Sequence, residues 1–240
     1  MKAARGWAEL AVAALIAVAS GCATSPAPAP AGKCEASEWR VDFGIEKRTL
    51  VSTGRNPYFI LEPGFKLVYE SRDGKLVITV LDETVGIAGV AARVVEEREW
   101  ERGKLVEVSR NFFAMCRDTK DVFYFGEEVD MYEGGKVVGH DGAWRAGVGH
   151  AKPGLVMPGS PVLGMRFYQE FAPGVAMDRA EIVGLGDTFK TPAGTFGGCL
   201  RTKENSALKP GEVEFKTYAP GIGLVQDEDL LLTGYGFIKE

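Results

Sequence analysis

The chain has two histidines, His140 and His150, and they flank a glycine-rich stretch. Asp141 directly follows the first of them. A histidine beside a carboxylate can act as an acid–base pair, and imidazole is also a common metal ligand. This loop is therefore the candidate site of an alternative function, a hydrolase, although its spacing matches no metal-ligand motif. The favoured interpretation is a pair of polar side chains on a surface loop.

Two clusters of carboxylates lie in strand-like sequence. The first contains Glu97 and Glu99, and the second contains Glu128 and Asp130. Because alternate residues of a strand share a face, each pair could act as paired acids or as oxygen ligands for a hard cation. Arginines surround the first cluster, so solvated ion pairs across strands are the simpler interpretation there. The sequence contains no phosphate-binding loop, dinucleotide fingerprint or nucleophile elbow, and no cofactor is predicted.

Aromatic residues in the second and third quarters of the chain could line a cavity for an apolar ligand. The candidate lining residues are Phe123, Phe125, Phe167 and Phe171. The competing interpretation places these rings in an ordinary hydrophobic core. The stretch 122–125 is apolar at every position, which indicates a central strand that is covered on both faces.

The elements that must position these side chains are β-strands. From residue 64 onwards, runs of β-branched and aromatic residues alternate with glycine turns, and helical periodicity is rare. Hairpin turns are predicted at 73–74, 101–103 and 134–135, and a further turn at 191–194. The number and spacing of the strands predict an all-β domain over 39–240, an antiparallel sheet curled into a half barrel or sandwich.

The strand 212–218 alternates most clearly between apolar and charged residues. Val213 and Phe215 share one face with Thr217, while Glu214 and Lys216 share the other. In a sheet that is covered on one side, the apolar face packs on the core and the charged face meets water. We therefore expect Val213 and Phe215 to be buried.

The first residues predict export. Lys2 and Arg5 precede an apolar stretch of about ten residues, which is too short to span a membrane as a helix and is typical of a signal peptide, here residues 1–21. Small residues and then Cys22 follow, in a pattern that resembles the lipobox of bacterial lipoproteins, where the cysteine is acylated. Ala19 stands where a lipobox usually has a branched residue. The alternative is cleavage after Ala19, which would release a secreted protein.

The segment 22–38 is predicted to be a tether. It is rich in proline and alanine, which favours extended polyproline II and leaves almost nothing to bury. A tether suits a lipid anchor on Cys22 that holds the domain to the cell envelope. Ala23 follows the cysteine, rather than the aspartate that retains lipoproteins in the inner membrane of Gram-negative bacteria. The outer membrane is therefore the predicted location.

Charge and cysteine content narrow the partners further. The chain has a net charge of -5 and no basic stripe, so nucleic acid is not a predicted partner. Besides Cys22, it contains Cys34, Cys116 and Cys199. An oxidising compartment permits one disulfide among these three, and the pairing stays open. The alternative for Cys116 and Cys199 is that both are buried as small hydrophobic side chains.

Several motifs occur in the second half of the chain. They are VFYFGE at 122–127, WRAG at 144–147, AKPG at 151–154 with MP at 157–158, YQE at 168–170, PGVA at 173–176 with Asp178, TPAGTF at 191–196 and YAPGIGLV at 218–225. As an ordered set they resemble a family of uncharacterised bacterial exported lipoproteins. The last two are also loosely similar to periplasmic half-barrel proteins of the LolA and LolB kind. The resemblance implies a half-barrel fold and supplies no catalytic residues.

The favoured function is a non-enzymatic binding or assembly module, anchored to the envelope through Cys22. Its predicted partners are the membrane, through the lipid anchor, and either an apolar ligand or an envelope protein. One alternative is an envelope or secreted hydrolase that uses His140, Asp141 and His150. A second alternative is a carrier that encloses an apolar ligand.

Overall fold

The computed structural model describes residues 38–237, and these are largely β-strand. A 3₁₀ helix spans Ile45–Lys47. The strands in chain order are β1 (Leu50–Val51), β2 (Arg55–Asn56), β3 (Phe59–Ile60), β4 (Phe65–Glu70), β5 (Gly74–Ile87), β6 (Val90–Glu101), β7 (Lys104–Cys116), β8 (Val122–Glu133), β9 (Lys136–Gly139), β10 (Trp144–Arg145), β11 (Lys152–Met157), β12 (Arg166–Tyr168), β13 (Glu170–Phe171), β14 (Asp178–Thr191), β15 (Gly194–Ser206), β16 (Lys209–Ala219), β17 (Gly223–Asp227) and β18 (Leu230–Phe237).

All but two of these strands, β2 and β3, belong to a single antiparallel sheet of 16 strands. Its main path runs β12-β14-β15-β16-β17-β18-β4-β5-β6-β7-β8-β11-β13. The two ends of that path, β12 and β13, are consecutive in the chain and are separated only by Gln169. The backbone N–H of Gln169 donates to the carbonyl of Asp178 on β14 at 2.7 Å. The sheet therefore returns on itself and is nearly closed into a barrel-like curl, as the all-β prediction required.

The predicted hairpins are confirmed. β4 and β5 flank the turn at 71–73, β6 and β7 flank 102–103, and β8 and β9 flank 134–135. The turn predicted at 191–194 joins β14 to β15. Both Gly134 and Gly135 have positive φ, the backbone conformation for which glycine is favoured in tight hairpins.

Side chains from distant strands converge inside the curl. Tyr69 on β4 is completely buried, and its hydroxyl donates to the carbonyl of Leu224 on β17 at 2.8 Å. Burial raises the pKa of Tyr69 well above its ordinary value, and the charges of Glu97 on β6 and Asp227 on β17 add to the rise. We call the side of the sheet that carries these residues the interior face.

A segment preceding β4 crosses one end of the curl. Asn56 is buried, and its amide nitrogen donates to the carbonyls of Lys120 and Pro158 at 2.8 and 3.0 Å. The hydroxyl of Tyr58 donates to the carbonyl of Gly198 at 3.0 Å. These acceptors lie in the β7–β8 loop, after β11 and in β15. The segment 52–62 therefore caps this end of the sheet.

The expected burial of the strand 212–218 is wrong. Val213 is 43% exposed and Phe215 is 37% exposed, whereas Lys216 lies on the interior face between two carboxylates. Arg201 covers the outer side of the Phe215 ring, with its guanidinium carbon 4.4 Å from the ring centroid. The apolar face points outward because the interior of the curl is partly polar, so alternation identified the two faces but not which one is inside.

Cys116 and Cys199 are both buried free thiols, so they form no bridge with each other. Within residues 38–237, no helix is long and apolar enough to cross a membrane. The predicted signal peptide 1–21, Cys22, Cys34 and the tether up to residue 37 lie outside the described residues.

Candidate functional site

The histidine loop is exposed. The Nδ1 atom of His140 lies 3.0 Å from a carboxylate oxygen of Asp130 and 2.8 Å from the carbonyl oxygen of Val129. Its nearest carboxylate contact is therefore with Asp130, not with its sequence neighbour Asp141. His150 and Asp141 are also exposed. All three side chains of the predicted acid–base site are therefore exposed.

The second predicted carboxylate cluster lies at the surface, where Glu128 pairs with Arg145 and Asp130 contacts the imidazole of His140. In the first cluster, the charge of Glu97 acts on Tyr69 and on Glu127. Between residues 38 and 237, no group of three or more His, Cys, Asp or Glu side chains is placed to hold a metal ion. Glu127, one position before the predicted pair, differs from Glu128 and Asp130 because its side chain is buried.

The four aromatic residues of the predicted apolar cavity do not share one wall. Phe123 lies opposite the interior face, where it contacts Phe43 with ring centroids 5.9 Å apart. Phe125 alternates with Tyr124 and lies on the same side as Phe123. Phe167 is fully buried on β12, and Phe171 packs edge-on against Tyr168 at 5.4 Å. Both faces of 122–125 are covered, as the sequence indicated.

A bulge in β8 brings Tyr124 and Glu127 to one face. Residues three apart in a regular strand point to opposite sides of the sheet. Here the pairing of β7 with β8 shifts by one residue between Asn111 and Phe113. Gly126 lies within the bulge with φ of 132°, a backbone conformation that favours glycine. The bulge therefore places the Tyr124 ring beside the Glu127 carboxyl group on the interior face.

Three polar side chains form a row across neighbouring strands. Glu127 on β8 lies directly opposite Asn111 on β7 and directly opposite Trp144 on β10. Directly opposed residues share a face, with Cβ atoms about 4.5–5.5 Å apart. The Asn111 amide donates to the Ser109 hydroxyl at 3.2 Å, and its carbonyl accepts a hydrogen bond from the Tyr124 hydroxyl. The amide of Asn111 is thus bonded at both ends.

Glu127 and Trp144 each retain a polar atom without a hydrogen bond. Glu127 is 7% exposed and Trp144 is 6% exposed. Within the part of the chain that the structure describes, Oε1 of Glu127 and Nε1 of Trp144 are buried and have no hydrogen-bond partner. A buried polar atom that is left unpaired costs about 1–3 kcal/mol. The unpaired acceptor of Glu127 and the unpaired donor of Trp144 therefore lie on the same face of the sheet, because the two residues are directly opposed.

Aromatic rings surround this pair. Tyr124 stacks on Phe113 with ring centroids 4.6 Å apart and meets Trp144 edge-on at 5.4 Å. Phe59, from the segment that caps the curl, packs against Phe113 at 5.1 Å. The rings form an aromatic cluster on the face of the sheet that carries Glu127.

The carboxyl groups near this site are electrostatically coupled. Burial raises the pKa of Glu127 to about 7, and the charges of Glu107 and Glu97 add to the rise, while the neighbouring Tyr124 hydroxyl opposes it. Burial, together with the charges of Glu127 and Asp178, raises the pKa of Glu170 well above its ordinary value. The site therefore concentrates negative potential whenever these groups ionise.

A second polar group on the interior face is internally paired. Lys216 lies 3.3 Å from Oε2 of Glu204 and 3.8 Å from Oδ1 of Asp227. The other oxygen of Glu204 accepts hydrogen bonds from Thr202 at 2.7 Å and from Gln169 at 3.3 Å. This cluster, which we call the Lys216 network, links the closing segment of the curl to β15, β16 and β17.

An open pocket with a volume of about 890 Å³ lies on the outer side of strands β4, β5 and β6. Its charged residues include the ion pairs Arg98–Glu96 and Lys75–Glu70 at 2.7 and 3.9 Å. The described residues that line it include no buried side-chain atom lacking a hydrogen bond. The interior pair of Glu127 and Trp144 is therefore the stronger candidate site.

Comparison with protein-family models, with curated protein sequences and with solved structures found no match. The resemblance to exported lipoproteins and to LolA-like half barrels accordingly stays a prediction. The fold and the site define a class in physical terms: a nearly closed antiparallel sheet with a buried, aromatic-lined polar site.

Sequence reasoning missed Glu127 and Trp144 as partners. The available signal was Gly126 between an apolar run and an acidic run, since an isolated glycine in a strand suggests a bulge. A bulge at that position reverses the alternation, which turns Glu127 rather than Glu128 toward the interior.

Proposed function

We propose that this chain is an exported, lipid-anchored binding protein of the cell envelope, whose curled sheet receives a small polar ligand on its interior face. The observation that carries the proposal is the buried pair of unpaired polar atoms, Oε1 of Glu127 and Nε1 of Trp144. Leaving two such groups unpaired in the same place is costly, and a ligand that satisfies both recovers that cost.

The polar character of the interior supports this ligand class over an apolar passenger. The interior face carries Glu127, Glu204 and Lys216, which are residue types that rarely line apolar cavities. The exposure of His140, Asp141 and His150 supports a binding role over a hydrolase. The anchor at Cys22 and the outer-membrane location rest on the sequence pattern and belong to the same proposal.

Mass spectrometry of the full-length protein, extracted from its own envelope in mild detergent, tests the proposal. Under denaturing conditions we expect the intact mass to lack residues 1–21 and to carry acyl groups on Cys22. Under native conditions we expect a stoichiometric small passenger in addition. Both expectations follow from a mature chain that is acylated at its first residue and holds a ligand inside the sheet.

The substitution Glu127→Gln should release the passenger, because Gln removes the negative charge while keeping the shape of the side chain. The matched control is Glu128→Gln, which alters the neighbouring exposed carboxylate and should retain it. A wild-type spectrum with no passenger would contradict the binding role. An unmodified Cys22 would contradict the anchor alone.

A further inference from the structure

The two unpaired atoms set complementary demands on a ligand. A carboxyl oxygen of Glu127 requires a hydrogen-bond donor, and the indole N–H of Trp144 requires an acceptor. The two residues are directly opposed on β8 and β10, so a single small group can reach both. The ligand must therefore carry a donor and an acceptor close together.

The charges around the site select the donor. Glu97 on β6, Glu107 on β7 and Glu170 on β13 lie within electrostatic reach of Glu127 or Tyr124. Lys216 acts electrostatically on Glu170, and it is held between Glu204 and Asp227. An ionised carboxylate with an unpaired oxygen in a buried site, as in Glu127, stabilises a positively charged donor more than a neutral one.

The aromatic rings are compatible with the same charge. Cations are attracted to the faces of tyrosine and tryptophan rings, and the attraction is strongest where water is excluded. Tyr124 and Trp144 lie in contact next to Glu127. A quaternary ammonium would satisfy the rings but has no N–H for Glu127, so a primary ammonium fits better.

We propose that the ligand is a primary amine with an oxygen acceptor on the adjacent carbon, its ammonium group bound to Glu127 and its oxygen bound to the indole N–H of Trp144. This inference rests on the proposed function and specifies the chemical class of the ligand. The same chemistry occurs in free amino alcohols and in amine-bearing lipid headgroups.

Binding of such a cation is linked to ionisation of Glu127. The described groups that act electrostatically on Glu127 include Tyr124 on its own strand, Glu107 on β7 and Glu97 on β6, and Glu127 in turn acts on Glu170 across the closure of the curl. A cation favours the ionised carboxylate and so expels a proton from it to the buffer. The affinity for the cationic ligand should therefore rise between pH 6 and pH 8, and ligand binding should release a proton from Glu127.

Titration calorimetry on the full-length protein, after dialysis in detergent, tests the class with four matched probes. Ethanolamine carries both features, ethylamine lacks the oxygen, ethylene glycol lacks the charge and choline lacks the N–H. We expect ethanolamine to bind at least about tenfold more tightly than each of the others, because each lacks one of the required interactions. Short-chain phosphatidylethanolamine, titrated in parallel, distinguishes a lipid-borne amine from a free one.

Variants locate the binding to this site. Glu127→Gln and Trp144→Phe should each weaken ethanolamine binding at least about tenfold, whereas Glu128→Gln should not change it. Melting curves identify any variant that fails to fold. If Trp144→Phe fails to fold, the near-isosteric Glu127→Gln alone tests whether ethanolamine binds at this site. Equal binding of all four probes would overturn the inference, as would ethanolamine binding that survives Glu127→Gln.

The failure of this inference is distinguishable from failure of the proposed function. If ethanolamine does not bind but native mass spectrometry finds another passenger, the class of ligand is wrong and the binding role stands. If neither ethanolamine nor any passenger is found, both are wrong. In that case, an ordered water bridging Glu127 and Trp144 would account for the two unpaired atoms.

Discussion

Replacing Lys216 with methionine should lower the free energy of unfolding by roughly 3–5 kcal/mol, since removing one partner of a buried ion pair leaves the other charge uncompensated. Lys216 lies between the carboxylates of Glu204 and Asp227, whose side chains are only 8% and 4% exposed. Burial acts to lower the pKa of Lys216, but the charges of Asp227 and Glu204 raise this pKa well above its ordinary value. The lysine is therefore charged at neutral pH. Urea denaturation measures the loss.

Lys209→Met is the matched control for this prediction. Lys209 is on the same strand and pairs with Glu212 at 3.5 Å, but both side chains are about half exposed. An exposed pair of this kind contributes about 0–1 kcal/mol. If Lys216→Met cost no more than Lys209→Met, the Lys216 network would have to be solvated, and the interior of the curl would not be a buried polar environment.

Gly126→Ala should lower the free energy of unfolding by about 3 kcal/mol or more. Alanine is strained at the φ of Gly126, and its Cβ would overlap the carbonyl oxygen of Trp144 and lie 2.8 Å from the Cα of Arg145. Both obstacles are backbone of β10 and cannot move aside cheaply. Relief of the overlap should also displace Trp144 from Glu127. Denaturation curves report the first effect, and intrinsic tryptophan fluorescence reports the second.

The control here is Gly135→Ala, in the hairpin turn at the end of the same strand. Gly135 also has positive φ, but a Cβ there would meet no atom within 4 Å. Its substitution should therefore cost only the backbone strain, about 1 kcal/mol. Equal losses at the two positions would mean that β10 does not approach the bulge of β8 as described.

Local sequence signals predicted the hairpins well and the orientation of the strands poorly. Gly103 and the pair Gly134-Gly135 each marked a turn and have positive φ, because tight turns need residues that tolerate special backbone angles. Gly74 also marked a turn, but it is the first residue of β5 and its φ is not positive. Closure of the sheet was not predictable in the same way. It depends on the pairing of β12 with β14 and of β13 with β11, which are long-range contacts without a local signature.

The candidate site was hidden for two physical reasons. Alternation places Glu128 and Asp130 together, and it assigns Glu127 to the opposite face without saying which face is inside. The assumption that apolar residues face inward then fails where the interior is polar, as Phe215 and Lys216 demonstrate. The WRAG motif contained Trp144, but the pairing of Trp144 with Glu127 was not predictable, because β10 has only two residues and its pairing with β8 is fixed by tertiary structure.

The central claim is that Glu127 is a buried carboxyl group with an unmet interaction inside the curl, and the pH dependence of stability tests it most directly. A carboxyl group whose folded pKa is raised is neutral in the folded protein at low pH and costs free energy once it ionises. The pKa of Glu127 rises from an ordinary value of 4.5 to about 7. This rise lowers the free energy of unfolding by about 3 kcal/mol at pH 8. That cost is absent below pH 4.5 and grows between pH 4.5 and 7.

The measurement is the difference in the free energy of unfolding between Glu127→Gln and the wild type at pH 4.5 and pH 8, in ligand-free protein. Gln cannot ionise, so we expect the variant to gain about 3 kcal/mol relative to the wild type between those two pH values. Glu128→Gln, which changes an exposed carboxylate, should show no such gain. A difference between Glu127→Gln and wild type that is the same at both pH values would contradict a buried Glu127 and, with it, the interior site.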